Sequence, residues 1–164
     1  MGAPEGSPMG HHETPGQLAN PPPGGQAMSG LEGTSVVIVE DDEHIAAVLE
    51  FIVGRLGCQP SMINDGAAAR EYIITAAPPD LILLDMMLPQ VTGMQLLAQI
   101  RAQPAWQRTV VAMLSARHDE ADVTAARAAG ANDYLLKPFE PQQLMERLRA
   151  LLSSRTSQTS GSST

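Results

Sequence analysis

The chain has 164 residues, which suits one domain with tails, and 43% of them are hydrophobic while only 3% are aromatic. That balance calls for an aliphatic core and excludes a stacking platform for single-stranded nucleic acid, and a net charge of -8 disfavours a binder of phosphate backbones. The single cysteine, Cys58, excludes an internal disulfide, and no apolar run reaches the ~18 residues that cross a bilayer, so a cytoplasmic protein is expected.

Residues 1–33 are rich in Gly, Pro and Ser and read as a disordered tail; His11 and His12 are given no metal role, and Met28 is an alternative start. Ser35 to Val39 is a β-branched strand that ends in Glu40-Asp41-Asp42-Glu43. A helix follows, its stripe made by Ile45, Val48, Leu49, Ile52, Val53 and Leu56, with Gly57 as its stop. Pro60 to Asn64 is a weaker strand near an edge, and Asp65 caps a helix that runs to Ala77, before Pro78 and Pro79. Leu81 to Leu84 is apolar throughout, as in a parallel sheet covered on both faces, and stops at the carboxylate of Asp85. A helix from Gly93 to about Gln103 and a strand from Thr109 to Leu114 come next, the strand stopping at Ser115-Ala116-Arg117-His118. A helix over Asp119–Ala129 ends at Gly130, and a strand over Tyr134–Leu136 ends in Lys137-Pro138-Phe139. Pro141 opens the last helix, with Leu144, Met145, Leu148, Leu151 and Leu152 as its stripe. Trp106 is expected to be a partly buried surface residue, and His44 and His118 are expected at the surface.

Five βα units of this kind make a doubly wound parallel sheet with helices on both faces. Ligands sit at the carboxyl ends of such strands, where this chain carries Asp41, Asp42, Asp85, Ser115 and Lys137. The first unit has neither the Gly-x-Gly-x-x-Gly turn nor the Gly-x-x-x-x-Gly-Lys loop that would hold phosphates. Three carboxylates on one rim repel one another, and a hard divalent cation such as Mg2+ relieves the repulsion. Lys137, the only lysine in the chain, can pair with Asp85 or with an oxygen attached to it, and Ser115 offers a hydroxyl. The set fits transfer of a phosphoryl group to an ionised Asp85. On their own, Asp41 and Asp42 also read as capping acids, and Glu40 as a solvated or capping residue or an indirect neighbour of the metal.

The segments Val36-Val37-Ile38-Val39-Glu40-Asp41-Asp42, Asp85-Met86-Met87-Leu88-Pro89 with Gly93, Ser115-Ala116 and Tyr134-Leu135-Leu136-Lys137-Pro138-Phe139 resemble the receiver domain of two-component response regulators, the CheY-like family. The likeness covers 34–152, leaving 153–164 as a flexible Ser/Thr-rich tail. It implies a flavodoxin-like α/β fold with strand order 2-1-3-4-5. It further implies that Asp85 is the phosphoacceptor, and that Asp41, Asp42, Asp85 and the backbone carbonyl of Met87 hold Mg2+ or Mn2+. Ser115, the Ala116 backbone and Lys137 would contact the phosphoryl group, Ser115 and Tyr134 would switch, and the Lys137–Pro138 bond would be cis. Asp133 and Arg147 match positions that pair across a dimer. Thr92 departs from the acid that many receivers carry before Gly93, and Gln143 and Ser154 replace charges often seen on the dimer face.

The implied function is a signalling switch, catalysing at most its own phosphorylation and dephosphorylation. A histidine kinase or histidine phosphotransfer protein would donate, and an effector or a second copy would dock on the face of the fourth helix, fifth strand and fifth helix. Direct nucleic-acid or membrane contact is not expected. One alternative is a phosphatase with Asp85 as nucleophile, although such an enzyme wants a second acid where Met87 stands. Another is the receiver fragment of a longer OmpR-like transcription factor.

Overall fold

A computed structural model describes residues 30–117 and 119–159. The tail reading of 1–29, the readings of His11, His12, Met28 and His118, and the last tail residues, 160–164, lie outside the described residues. The strands are β1 (Ser35–Val39), β2 (Gln59–Ile63), β3 (Leu81–Asp85), β4 (Val110–Ser115) and β5 (Asp133–Leu136). Between and after them come α1 (Glu43–Arg55), α2 (Gly66–Thr75), α3 (Gly93–Ala102), α4 (Glu120–Ala128) and α5 (Pro141–Thr159). All pairings are parallel, in the order β2-β1-β3-β4-β5.

Alternate residues of the central strands feed two cores. Val36, Ile38, Leu81 and Leu83 face α1 and α5, meeting Leu49, Ile52, Leu144 and Leu148. Val37, Val39, Ile82 and Leu84 face the other way, toward Ile73, Leu96, Ile100 and Ala126 of α2, α3 and α4. This two-sided burial is why β3 reads as an unbroken apolar run.

Several boundaries differ from the sequence reading. Leu31, placed in the tail by sequence, is buried in the α1/α5 core, and α5 continues past Leu152 to Thr159. Arg155 on that continuation pairs with Asp80, whose other oxygen accepts from the Ser35 N–H at 2.9 Å. Folded structure therefore begins before residue 34 and ends after 152, because a single buried leucine and one ion pair carry too little pattern to be seen in composition. Val48 is exposed, so the α1 stripe is narrower than its spacing suggests. Trp106, by contrast, is fully buried: a 3-10 turn over Pro104–Trp106 tucks it beneath α3, edge-on to Tyr72 at 5.9 Å. No helix among the described residues is long and apolar enough to cross a membrane.

Candidate functional site at the strand tips

Register builds the site. Val39 lies level with Leu84 in the β1–β3 ladder, so Glu40 and Asp85 leave the sheet side by side. Both are 2% exposed. Lys137, the residue after β5, reaches across to them: its Nζ lies 2.8 Å from Glu40 Oε2 and 3.2 Å from Asp85 Oδ2. Carboxylate oxygens of Glu40, Asp41 and Asp85 all fall within 4.8 Å of one another.

Asp42, expected to pair with Asp41 as a metal ligand, is not in that cluster. It is the N-cap of α1, its Oδ1 accepting from the N–H groups of His44 at 2.9 Å and Ile45 at 3.1 Å. The acidic pair is thus Glu40 and Asp41, one residue earlier than the sequence reading. The capping bonds, that from Ile45 foremost, hold the Asp42 carboxyl below its ordinary range. Burial pushes Glu40 up to about 7, with the Asp85 charge acting the same way and the Lys137 hydrogen bond opposing both. For Lys137, burial favours the neutral amine, but the hydrogen bond to Glu40 and the charges of Asp85 and Glu40 outweigh it and raise the ammonium above its usual value. One half-buried cation thus serves two buried carboxyl groups, with Asp41 as a third, exposed acid at the mouth. A donor set made only of oxygens with surplus negative charge fits a hard divalent cation.

The loop after β3 is closely held. Met87 donates its N–H to Asp85 Oδ1 at 3.0 Å, Met86 donates to the Leu114 carbonyl at 2.9 Å, and Gly93 donates back to the Met86 carbonyl at 3.0 Å. The Met87 side chain points outward and is 66% exposed. Gly93 is required by space: a Cβ there would lie 2.3 Å from the Asp85 carbonyl oxygen. Thr92 caps α3 with a full capping box closed by Gln95, so it fills locally the capping role open to an acid.

On the other side of Asp85, Ser115 ends β4, buried, with its Oγ accepting from the Arg117 N–H at 3.0 Å; Ala116 is exposed at the bend. Arg117 also accepts, through its carbonyl, from the Tyr134 hydroxyl at 3.3 Å. Sequence reasoning did not assign this joining role to Arg117, which its peptide group performs and no side-chain pattern reveals. Tyr134 lies inside, 5% exposed. The Lys137–Pro138 peptide is cis. Asp133 and Arg147 meet within one chain, Arg147 Nε donating to Asp133 Oδ2 at 3.0 Å and its Nη2 to Oδ1, with Arg127 at 3.8 Å. The two residues expected on a dimer face thus pair within one chain, because α5 lies over β5 within arginine reach.

Against this geometry, the family description "response regulator receiver domain" matches residues 36–149. The sensory transduction protein RegX3 of Mycobacterium tuberculosis (strain H37Rv) is 38% identical over 119 residues, which are 73% of this chain and 51% of that protein. The phosphate regulon transcriptional regulatory protein PhoB of Rhizobium meliloti is 36% identical over 117 residues, 71% of this chain and 51% of its own. The chain therefore spans about half the length of these curated relatives. Among solved structures, the receiver domain of sensor histidine kinase PA1611 from Pseudomonas aeruginosa PAO1 superposes with a TM-score of 0.66 at 30% identity, over 74% of this chain and 98% of that one. That structure carries a magnesium ion coordinated in its active-site cleft.

Proposed function

Because this chain belongs to the response regulator receiver domain family, we propose that Asp85 is its phosphoacceptor. Receiver domains are signalling switches rather than enzymes in the ordinary sense. The observation that carries the assignment is the buried Asp85 with Lys137 Nζ at 3.2 Å and three acidic oxygens clustered within 4.8 Å.

An Asp85 carboxylate oxygen attacks the phosphorus of a phosphohistidine or of a small acyl phosphate. An O–P bond forms, and the donor's N–P or O–P bond breaks, the donor atom leaving with the electron pair. In this reading the Lys137 ammonium holds one oxygen of the arriving group, and the Ser115 hydroxyl and the Ala116 N–H hold others. Glu40, Asp41 and Asp85, with the Met87 carbonyl, would hold Mg2+ or Mn2+, which supplies positive charge to the phosphoryl oxygens. When Ser115 turns toward the phosphoryl group, the Arg117 N–H loses its acceptor. Since the Arg117 carbonyl also holds Tyr134, the β4–α4 loop shifts and the face of α4, β5 and α5 changes with it.

A histidine kinase or histidine phosphotransfer protein is the donor in this reading, and a protein effector or a second copy reads the changed face. The proposed setting is the cytoplasm, and neither nucleic acid nor membrane is a proposed partner of these residues. The test is intact-mass analysis after incubation with acetyl phosphate and Mg2+. One phosphoryl adduct on the wild type and none on Asp85→Asn is the expected result; labelling of both variants, or of neither, overturns the assignment.

A second reading, that these residues are the receiver part of a longer regulator, is favoured by the half-length match to RegX3 and PhoB. It leaves the chemistry at Asp85 unchanged. The phosphatase reading gains nothing, since Met87 is an exposed thioether where a second acid would be needed.

A further inference from the structure

We infer that Gly66, the first residue of α2, is a positioning residue for the phosphoacceptor loop, acting through Val91. This rests on the assignment of Asp85 given above. Gly66 does not occupy the left-handed backbone region, so its conformation is open to other residues. Its constraint is space: a Cβ there would lie 2.8 Å from Val91 Cβ, 3.4 Å from its Cγ2 and 3.5 Å from its carbonyl oxygen. The closest of these atoms decides the matter. Side-chain rotation cannot move a Cβ, so making room to an ordinary contact of about 3.5–4 Å requires the backbone at Val91 to shift by roughly 1 Å.

That backbone has nowhere to absorb the shift quietly. Val91 is 6% exposed, and its N–H closes a tight turn onto the Pro89 carbonyl at 2.8 Å around Gln90, a non-glycine residue at φ 70°. The Gly93-to-Met86 hydrogen bond fastens the far end of the loop back to its start. Movement at Val91 therefore passes to Met87, whose N–H holds Asp85 Oδ1 and whose carbonyl is the proposed metal ligand. The bare Cα of α2 is a socket, Val91 is the peg, and the loop between them sets where the acceptor oxygen sits. Local helix preference points the opposite way, since alanine is the better helix former; a purely local role would make Gly66→Ala harmless.

The experiment measures the rate of phosphorylation by acetyl phosphate across a Mg2+ titration. It compares wild type, Asp85→Asn, Gly66→Ala, Val91→Gly and the double variant Gly66→Ala/Val91→Gly. Gly66→Ala is expected to slow labelling about tenfold and to raise the half-maximal Mg2+ concentration, since misplacement by about 1 Å can cost up to a hundredfold. Loss of stability alone would lower the labelled fraction while leaving that midpoint unchanged. Removing the Val91 Cβ itself in the double variant Gly66→Ala/Val91→Gly is expected to bring the rate within about twofold of Val91→Gly alone, by relieving the same contact. Wild-type rate and midpoint in Gly66→Ala, or a double variant as impaired as the single one, would overturn the inference. If Gly66→Ala does not fold, the double variant decides: folded and labelled like Val91→Gly it supports the coupling, and otherwise the coupling is wrong. Absence of labelling in the wild type would instead overturn the Asp85 assignment, and the role of Gly66 with it.

Discussion

Lys137 carries the charge balance of the strand tips, for among the described residues it is the one cation bonded to both Glu40 and Asp85. Replacing it with methionine leaves Glu40 and Asp85 facing each other without compensation, and such a break in a buried pair costs about 3–5 kcal/mol. Urea unfolding of Lys137→Met should show a loss of this order without metal and partial recovery in Mg2+; an unchanged midpoint in metal-free buffer would count against the pairing. Glu40 gives a pH test. Its folded value, about 7, lies above its ordinary 4.5, so the folded chain binds that proton more tightly than the unfolded chain does. The contribution to stability is complete below about pH 4.5 and is lost as pH climbs toward 7, up to about 3 kcal/mol at 1.36 kcal/mol per unit. Glu40→Gln should therefore gain stability relative to wild type between pH 5 and 7 in metal-free urea titrations; parallel curves would refute the shift. Asp85, Ser115 and Lys137 were legible in sequence because each ends a recognisable strand. Glu40 was not: choosing it over Asp42 requires counting register from Val39 and seeing Asp42 as the cap before Glu43, His44 and Ile45.

Between strands and helices, Arg101 at the end of α3 makes a tie outside the site. Its guanidinium donates to the carbonyls of Gly130 and Thr109 at 3.0 Å and of Trp106 at 3.2 Å, and to Asn132 Oδ1 at 3.0 Å. Three segments thus share one side chain, with no carboxylate among its hydrogen-bond acceptors. Arg101→Met leaves these acceptors without their donor and should cost about 2–4 kcal/mol, read from chemical denaturation followed by the fluorescence of buried Trp106. A loss below 1 kcal/mol would show that water replaces the bonds without penalty. The βα alternation was readable because buried strands and amphipathic helices have different periods. The 3-10 turn that buries Trp106 was not, since three residues are too few to show a period. The overhang of α5 was hidden for a related reason: Ser153 to Thr159 are polar, and what holds their start is Arg155 reaching Asp80.

At the scale of the whole molecule, chemistry gathers at one end of the sheet and the clasp of Asp80 with Ser35 and Arg155 lies at the other. The Asp133–Arg147 pair bears on assembly, because both Asp133 oxygens are already engaged by the same chain. Without a phosphoryl donor, sedimentation velocity should find a monomer, since exchanging that pair between copies first breaks it; a stable dimer under those conditions would mean another face associates. The order 2-1-3-4-5 came from family likeness rather than from periodicity, for alternation alone does not say which strand lies centrally. The solitary lysine has a practical corollary. An amine-selective acylating reagent finds only the chain's N-terminus and Lys137, whose side chain is 15% exposed and doubly engaged. Its labelling rate in the native protein then becomes a one-residue gauge of how firmly the rim is shut, readable by peptide mapping without any engineered probe.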